Sequence, residues 1–288
     1  MTDRRDRFVL ITGTSRGIGR ATALRLASSG LSVIAGVRNS DDGARLEREA
    51  RGQLTSTILD IGCDESIANA AALVRDLVGD RGLFGLVNNA AAPARSGPME
   101  YVTREDLESA FRVTAFGTIL TTHALLPLLK AAGGRVVNVG AGRLPLPLLG
   151  VAFGAKFALE GMTDVLRIEL RRGGVGVSIV EPGMTRVEDR DRPLARYDQA
   201  LEEGLRSVPP QGRARYEVAV RRFKALNRRM LARAVPAESV AATIQRALLA
   251  SRPKARYHCG WEQKVVATLE RFASVRMRDA IVGAMLGL

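Results

Sequence analysis

The most constraining feature of the chain is the run Thr12-Gly13-Thr14-Ser15-Arg16-Gly17-Ile18-Gly19, which follows an apolar strand and opens a segment of helical period. A strand that feeds a helix through such a loop aims unpaired backbone N–H groups and the positive helix end at a phosphate. Gly13 permits the tight turn, while Gly17 and Gly19 let backbone and diphosphate approach closely. Three glycines alone are a weak signal, but their place at the first β–α junction makes them a strong one.

Short apolar runs then alternate with longer helical segments. Strands are expected at 8–12, 32–37, 54–59, 84–88, 135–139 and 175–180, with a short last one near 255–259. That alternation predicts a doubly wound parallel sheet of the Rossmann type, three-layer α/β/α, in one domain over 1–288. The stretch 184–234 breaks the rhythm with Pro193 and the pair Pro209–Pro210. Within it Tyr216, Val220, Phe223, Met230 and Leu231 recur at roughly helical spacing between arginines, the pattern of an amphipathic helix. It reads as a substrate-lid insertion or a helix packed on the domain, in preference to a membrane-surface helix. Residues 260–288 form a C-terminal helical extension.

The net charge of +13 in 288 residues invites a polyanion partner, but the excess is mostly arginine spread from Arg4 to Arg278 without a polybasic run. With no nucleic-acid module beside it, solvated basic faces are the better reading, and no nucleic-acid partner is expected. Cys63 and Cys259 read as free thiols of a reducing compartment, and two histidines give little material for a metal site. The charged N-terminus lacks a signal peptide's long apolar segment, and the apolar stretch 144–155, with Pro145 and Pro147, is too short to span a bilayer as a helix. The expectation is a cytoplasmic protein with no transmembrane segment, and at most peripheral membrane contact.

The nicotinamide cofactor is chosen at the end of the second strand, where an NAD site usually carries an acid for the ribose hydroxyls. Here the strand ends Gly36-Val37-Arg38, and the first acids are Asp41 and Asp42. Arg38, with Arg16 of the loop, suits a charge-assisted clamp on an adenosine 2′-phosphate, so NADP(H) is the expected cofactor.

Further landmarks stand in order: Asp60-Ile61 after the third strand, Asn88-Asn89-Ala90 after the fourth, Lys156-Phe157-Ala158-Leu159-Glu160-Gly161, and Glu181-Pro182-Gly183. With the glycine loop they make the chain resemble the short-chain dehydrogenase/reductase family from Phe8 to about Cys259. The tail from Arg252 to Tyr257 is similar to the 17-beta-hydroxysteroid/retinol dehydrogenase-like members, which act on apolar alcohols and ketones. The resemblance implies that Gly13, Ser15, Arg16, Gly17, Ile18 and Gly19 form the diphosphate loop. It implies that Asp60 and Ile61 hold the adenine, and that Asn88 and Ala90 line the cofactor groove. Lys156 would bind the nicotinamide ribose, and Pro182, Gly183 and Thr185 would close over the nicotinamide. A homo-oligomer built on the helices near 103–131 and after Gly150 is implied too.

The family's catalytic residues match less well. Its tyrosine stands four residues before the lysine, where this chain has Ala152. Its serine would fall near Asn138-Val139-Gly140-Ala141-Gly142, which contains none, and its helix asparagine is replaced by Thr114. Loss of a positioned acid typically costs about 10²–10⁴-fold in rate. The remaining catalytic candidates are Lys156 and Thr114, with His123, Tyr197 or a bound water as other proton sources. Three functions follow. The first is an NADP(H)-dependent oxidoreductase with a rearranged acid, acting on an apolar alcohol, ketone or alkene. The second is a cofactor-binding regulatory protein without turnover, and the third a cyclase or lyase reusing the cleft. The apolar run 144–153 is expected to border that cleft and favour a small apolar ligand.

Overall fold

Alternating apolar strands can hide both faces only between two helical layers, and the chain solves this in the expected way. The structure, a computed structural model, describes residues 6–52, 54–186 and 192–288, with side chains at 192–197 outside the description. In chain order the elements are β1 (Phe8–Thr12), α1 (Gly17–Ser28), β2 (Ser32–Val37), α2 (Ser40–Glu49), β3 (Leu54–Ile58), α3 (Asp64–Val78) and β4 (Gly85–Asn88). Next come α4 (Arg104–Phe111), α5 (Thr118–Ala131), β5 (Arg135–Val139), α6 (Gly150–Glu169), β6 (Gly176–Pro182), β7 (Thr185–Arg186) and α7 (Arg192–Arg206). The remainder is α8 (Pro210–Ala232), β8 (Val235–Pro236), α9 (Ala237–Leu249), β9 (Arg256–Cys259), α10 (Trp261–Phe272) and α11 (Val275–Leu286).

The described strands of the main sheet run β3-β2-β1-β4-β5-β6-β9, all parallel. Strand order reverses between β1 and β4, which opens the switch-point crevice at the carboxyl ends of the strands. Successive residues face opposite layers. Val9 and Ile11 of β1 join Val33 and Ala35 of β2 under α1 and α9, while Leu10 and Ile34 point into the layer of α3 and α5. The sequence expectations for the strands hold to within about two residues.

Between α4 and α5 the helix widens into a π-helical turn over Arg112–Gly117. Such turns concentrate at functional sites, and this one carries Thr114. The helix from Arg104 to Ala131 is long and apolar enough to cross a membrane by length and composition. Its inner side nevertheless packs in the fold, with Thr118, Thr121, Thr122, Leu125 and Leu129 buried.

The insertion is a separate small structure. β7 and β8 pair in parallel, Thr185 beside Val235 and Arg186 beside Pro236, and pin its two ends together. Above them α7, α8 and α11 share an apolar cluster in which Leu201, Val220, Phe223, Val282 and Leu286 are buried. The amphipathic helix is thus a packed one. Part of the apolar run 144–153 packs here: Leu148 is buried in this same cluster with Leu144 and Leu149 packed on it, so these residues support the insertion. Leu148 sits at φ 72°, a strained setting for a branched residue, and its carbonyl accepts from Gly97 N at 2.7 Å.

Candidate active site

The glycine loop is held from both neighbouring strands. Thr14 donates from its backbone N and from Oγ1 to the Gly36 carbonyl, each at 3.0 Å, which fixes the loop to the end of β2. From β4, Asn89 Nδ2 donates to the carbonyls of Thr12 and Gly13, while the N–H groups of Asn89 and Ala90 donate to Thr12 Oγ1, all at 3.0 Å. A Cβ on Gly13 would stand 2.9 Å from Ala90 Cα, and one on Gly19 would overlap the Gly13 carbonyl oxygen. Gly13 and Gly17 take φ of 69° and 59°. The N-cap, Arg16, makes no side-chain cap bond, and the first turn of α1 holds no acid. Its N–H donors are therefore left for an anion, and this donor set fits a dinucleotide diphosphate.

Arg16 and Arg38 are exposed at this end of the sheet. Sequence reasoning missed a third arginine. Arg45 of α2 reaches the Ser15 carbonyl at 3.5 Å and pairs with Asp42 at 2.6 Å. Asn39 caps α2, its Oδ1 accepting from the Asp42 N–H at 2.9 Å and its Nδ2 donating to Asp42 Oδ2 at 2.9 Å. Asp42, the second acid after β2, is thus turned to the helix start, a placement that the spacing Asn39 to Asp42 could have signalled.

At the other end of the crevice Lys156 projects from α6, and its Nζ donates to the Val139 carbonyl at the end of β5, at 2.6 Å. Burial pushes its pKa down to about 8, and the nearby Glu160 carboxylate limits the fall. Ala152 lies one turn earlier on α6, where it offers no proton. Thr114 is buried in the π turn, accepts from Ala92 N at 3.2 Å, and keeps its hydroxyl proton for another acceptor. His123 is exposed on α5, and the side chain of Tyr197 lies outside the described residues.

Behind Lys156 lies a carboxylate–arginine cluster that sequence reasoning did not find. Glu160, 1% exposed, is paired with Arg256 at 2.9 Å and Arg143 at 3.3 Å. Arg256 also reaches Asp164 at 2.6 Å and Glu181, and His258 Nδ1 lies 2.8 Å from Glu181. Burial, then the neighbouring Glu181, raises the Glu160 carboxyl, while Arg256 and Arg143 oppose them. The cluster ties α6, β6 and β9 together directly under the lysine.

Two expected groove residues turn their side chains inward. The side chain of Asn88 is 1% exposed and donates to Thr122 Oγ1 at 2.9 Å and Asn138 Oδ1 at 2.8 Å. Asn138 continues to Thr163 Oγ1 at 2.8 Å, which makes a buried amide seam from β4 through β5 to α6. The residue facing the glycine loop is its neighbour Asn89. Ile61 is likewise buried in the core beneath α3 and α5. Asp60 stays exposed and accepts from Gly62 N at 2.9 Å. Ala90, Pro182, Gly183 and Thr185 remain partly exposed along the crevice edge, with Thr185 Oγ1 donating to the Gly183 carbonyl at 3.0 Å.

The comparisons agree with this geometry. The short chain dehydrogenase family matches residues 7–195. The chain is 35% identical to retinol dehydrogenase 5 of Mus musculus over 282 residues, covering 96% of this chain and 88% of that protein. It is 33% identical to 17-beta-hydroxysteroid dehydrogenase type 6 of Bos taurus, covering 89% and 81%. A solved short chain dehydrogenase from Burkholderia cenocepacia, in complex with NADP, is similar in fold with a TM-score of 0.73 at 22% identity, covering 98% and 99% of the two chains. The chain belongs to the short-chain dehydrogenase/reductase family of nicotinamide-dependent oxidoreductases.

Proposed function

We propose that this chain is an NADP(H)-dependent oxidoreductase for an apolar alcohol, ketone or alkene, in which Lys156 handles the proton that the family's tyrosine usually carries. The observation that carries this reading is Lys156 itself, an amine with a pKa near 8 held at the end of β5. A group titrating near the working pH can both give and take a proton, which is what general acid–base catalysis requires. Thr114 supplies a hydroxyl from the π turn as the companion hydrogen-bond donor. When bound, the nicotinamide gives or accepts the hydride. Arg16, Arg38 and Arg45 support the 2′-phosphate form of the cofactor. Relatives named for retinol and for 17-beta-hydroxysteroids support an apolar alcohol or ketone. Exposed Phe116 and Leu120, and Val165 and Ile168 of α6, support a homo-oligomer.

The test is NADPH consumption with a panel of apolar ketones, aldehydes and enones. Reduction should slow as pH rises through about 8, where Lys156 loses its proton. Lys156→Ala should slow it about 10²–10⁴-fold. Turnover that survives Lys156→Ala unchanged would exclude this acid, and a wild-type chain that binds no NADPH would sink the whole reading.

A further inference from the structure

The corner left without a serine and a tyrosine is filled from a distant part of the chain. After β9 the backbone turns at Gly260, and α10 sends Glu262 and Gln263 back toward the carboxyl ends of β5 and β6. Both are more than nine-tenths buried, at 6% and 8% exposure. Gln263 Nε2 donates to the Ala141 carbonyl at 3.0 Å and to the Pro182 carbonyl at 3.2 Å, so one amide spans the two strand ends. Two glycines make room for the pair. A Cβ on Gly142 would overlap Gln263 Oε1, and one on Gly183 would stand 2.7 Å from Glu262 Oε2.

The donors of this arrangement are satisfied and its acceptors are not. Among the described residues, neither carboxylate oxygen of Glu262 nor Oε1 of Gln263 has a hydrogen-bond partner, although all three are buried. Glu262 lies in the first turn of α10 and is not its cap; the N-cap is Gly260, and no side chain makes a cap bond. The positive end of α10 favours a negative side chain in its first turn, but it leaves the carboxylate without a donor. Buried acceptors normally find one, so this set points to a donor that arrives with a ligand. The set adjoins Pro182 and Gly183, the segment expected to close over the nicotinamide. The donor that a nicotinamide carries there is its carboxamide NH2, with two N–H groups and no charge.

We propose that Glu262 is a cofactor-contacting residue that accepts a hydrogen bond from the carboxamide amino group of the nicotinamide, and that Gln263 is its positioning residue, clamping the ends of β5 and β6. The assignment rests on the NADP(H) reading above. It concerns binding only, so it can be tested without a substrate.

The experiment titrates the full chain with three ligands: NADP+, its 3-acetylpyridine analogue, in which a methyl replaces the amino group, and 2′-phospho-ADP-ribose, which has no nicotinamide. Wild type should bind the acetylpyridine analogue about tenfold more weakly than NADP+, the size of one lost hydrogen bond. Glu262→Ala should weaken NADP+ by a similar factor, erase the difference between the two dinucleotides, and leave 2′-phospho-ADP-ribose unchanged. Glu262→Gln, which keeps a carbonyl acceptor, should restore much of the difference. Equal affinity of wild type for the two dinucleotides would overturn the proposal without needing any variant to fold. So would a Glu262→Ala loss that falls equally on 2′-phospho-ADP-ribose. A wild-type chain that binds none of the three would overturn the NADP(H) reading instead.

Discussion

The glycine loop and the end of β5 stand at the same edge of one sheet and are built on opposite plans. Around the loop, most fixing bonds come from residues close to a strand end. Thr14 reaches Gly36, and Asn89 reaches Thr12 and Gly13. The α1 donors are left open for an anion. Around the end of β5 the local groups are small or apolar: Gly140, Ala141, Gly142 and, on α6, Ala152. The polar groups there come from far along the chain, with Gln263 bonded to Ala141 and Arg256 to Glu160. The first region keeps a phosphate cradle whole. The second holds Lys156, whose pKa burial lowers to about 8, beside side chains that arrive from β9 and α10. The function proposed above thus places cofactor binding and proton chemistry on separable parts of the chain.

The sharpest way to break that comparison is to destroy the cradle alone. Gly19→Ala puts a methyl into the Gly13 carbonyl and 2.5 Å from Asn89 Nδ2, so loop and β4 cannot both stay in place. NADPH affinity should fall at least about 100-fold, with a clear drop in melting temperature, because backbone atoms cannot yield as a flexible side chain does. Fluorescence titration and thermal melts measure both. Near-normal binding in this variant would mean that the loop is not where the dinucleotide sits.

Much of the cradle was legible in the sequence because its parts are local. A strand of period two, a loop with glycines at fixed offsets and a helix of period 3.6 each leave a mark within about ten residues. The strands were readable within about two positions for the same reason. The rest depended on distance. Asn88 and Asn89 are adjacent and chemically identical, and only the strand's alternation sends one into the core and the other to the loop. The β7–β8 pair is two residues long on each side and joins positions fifty residues apart, too short to leave a period. Arg256 and Gln263 sit in segments that look like an ordinary strand and helix, and their partners lie 96 and 122 residues away.

A second prediction turns on the other region. Lys156 is charged less readily in the folded chain, where its pKa is about 8, than in the unfolded chain, where it takes the ordinary value of 10.5. Between these values the unfolded state binds more protons, so this group's contribution to stability rises with pH across about 8 to 10.5 and is least favourable below 8. Lys156→Met should therefore stabilise the chain at pH 7 by ~1 kcal/mol or more, worth about 2–4 °C in melting temperature. The advantage should shrink as pH climbs through that window. A variant less stable than wild type at pH 7, or a gain independent of pH, would show that Lys156 is not held against its charge. The same substitution should abolish the proton chemistry while the cradle still binds cofactor, the stability–function opposition expected of a catalytic group.

The smallest effect asks whether the cradle reads the 2′-phosphate. Arg38 follows the last residue of β2 and is exposed, and Arg16 and Arg45 belong to the loop and to α2. Arg45 is already engaged by Asp42, which leaves Arg16 and Arg38 as the stronger candidates for charge-assisted bonds to a phosphate. Removing one such bond at an exposed position costs about tenfold in affinity, and no more, because water and the remaining arginines compensate. Arg38→Ala should therefore weaken NADPH about tenfold, leave NADH nearly unchanged, and lose most of its effect at high salt. Equal loss for both dinucleotides would assign Arg38 to the adenosine as a whole. No loss for either would leave the choice of cofactor with Arg16 and Arg45, whose single and double alanine variants, titrated in the same two dinucleotides, would then identify the residue that reads the phosphate.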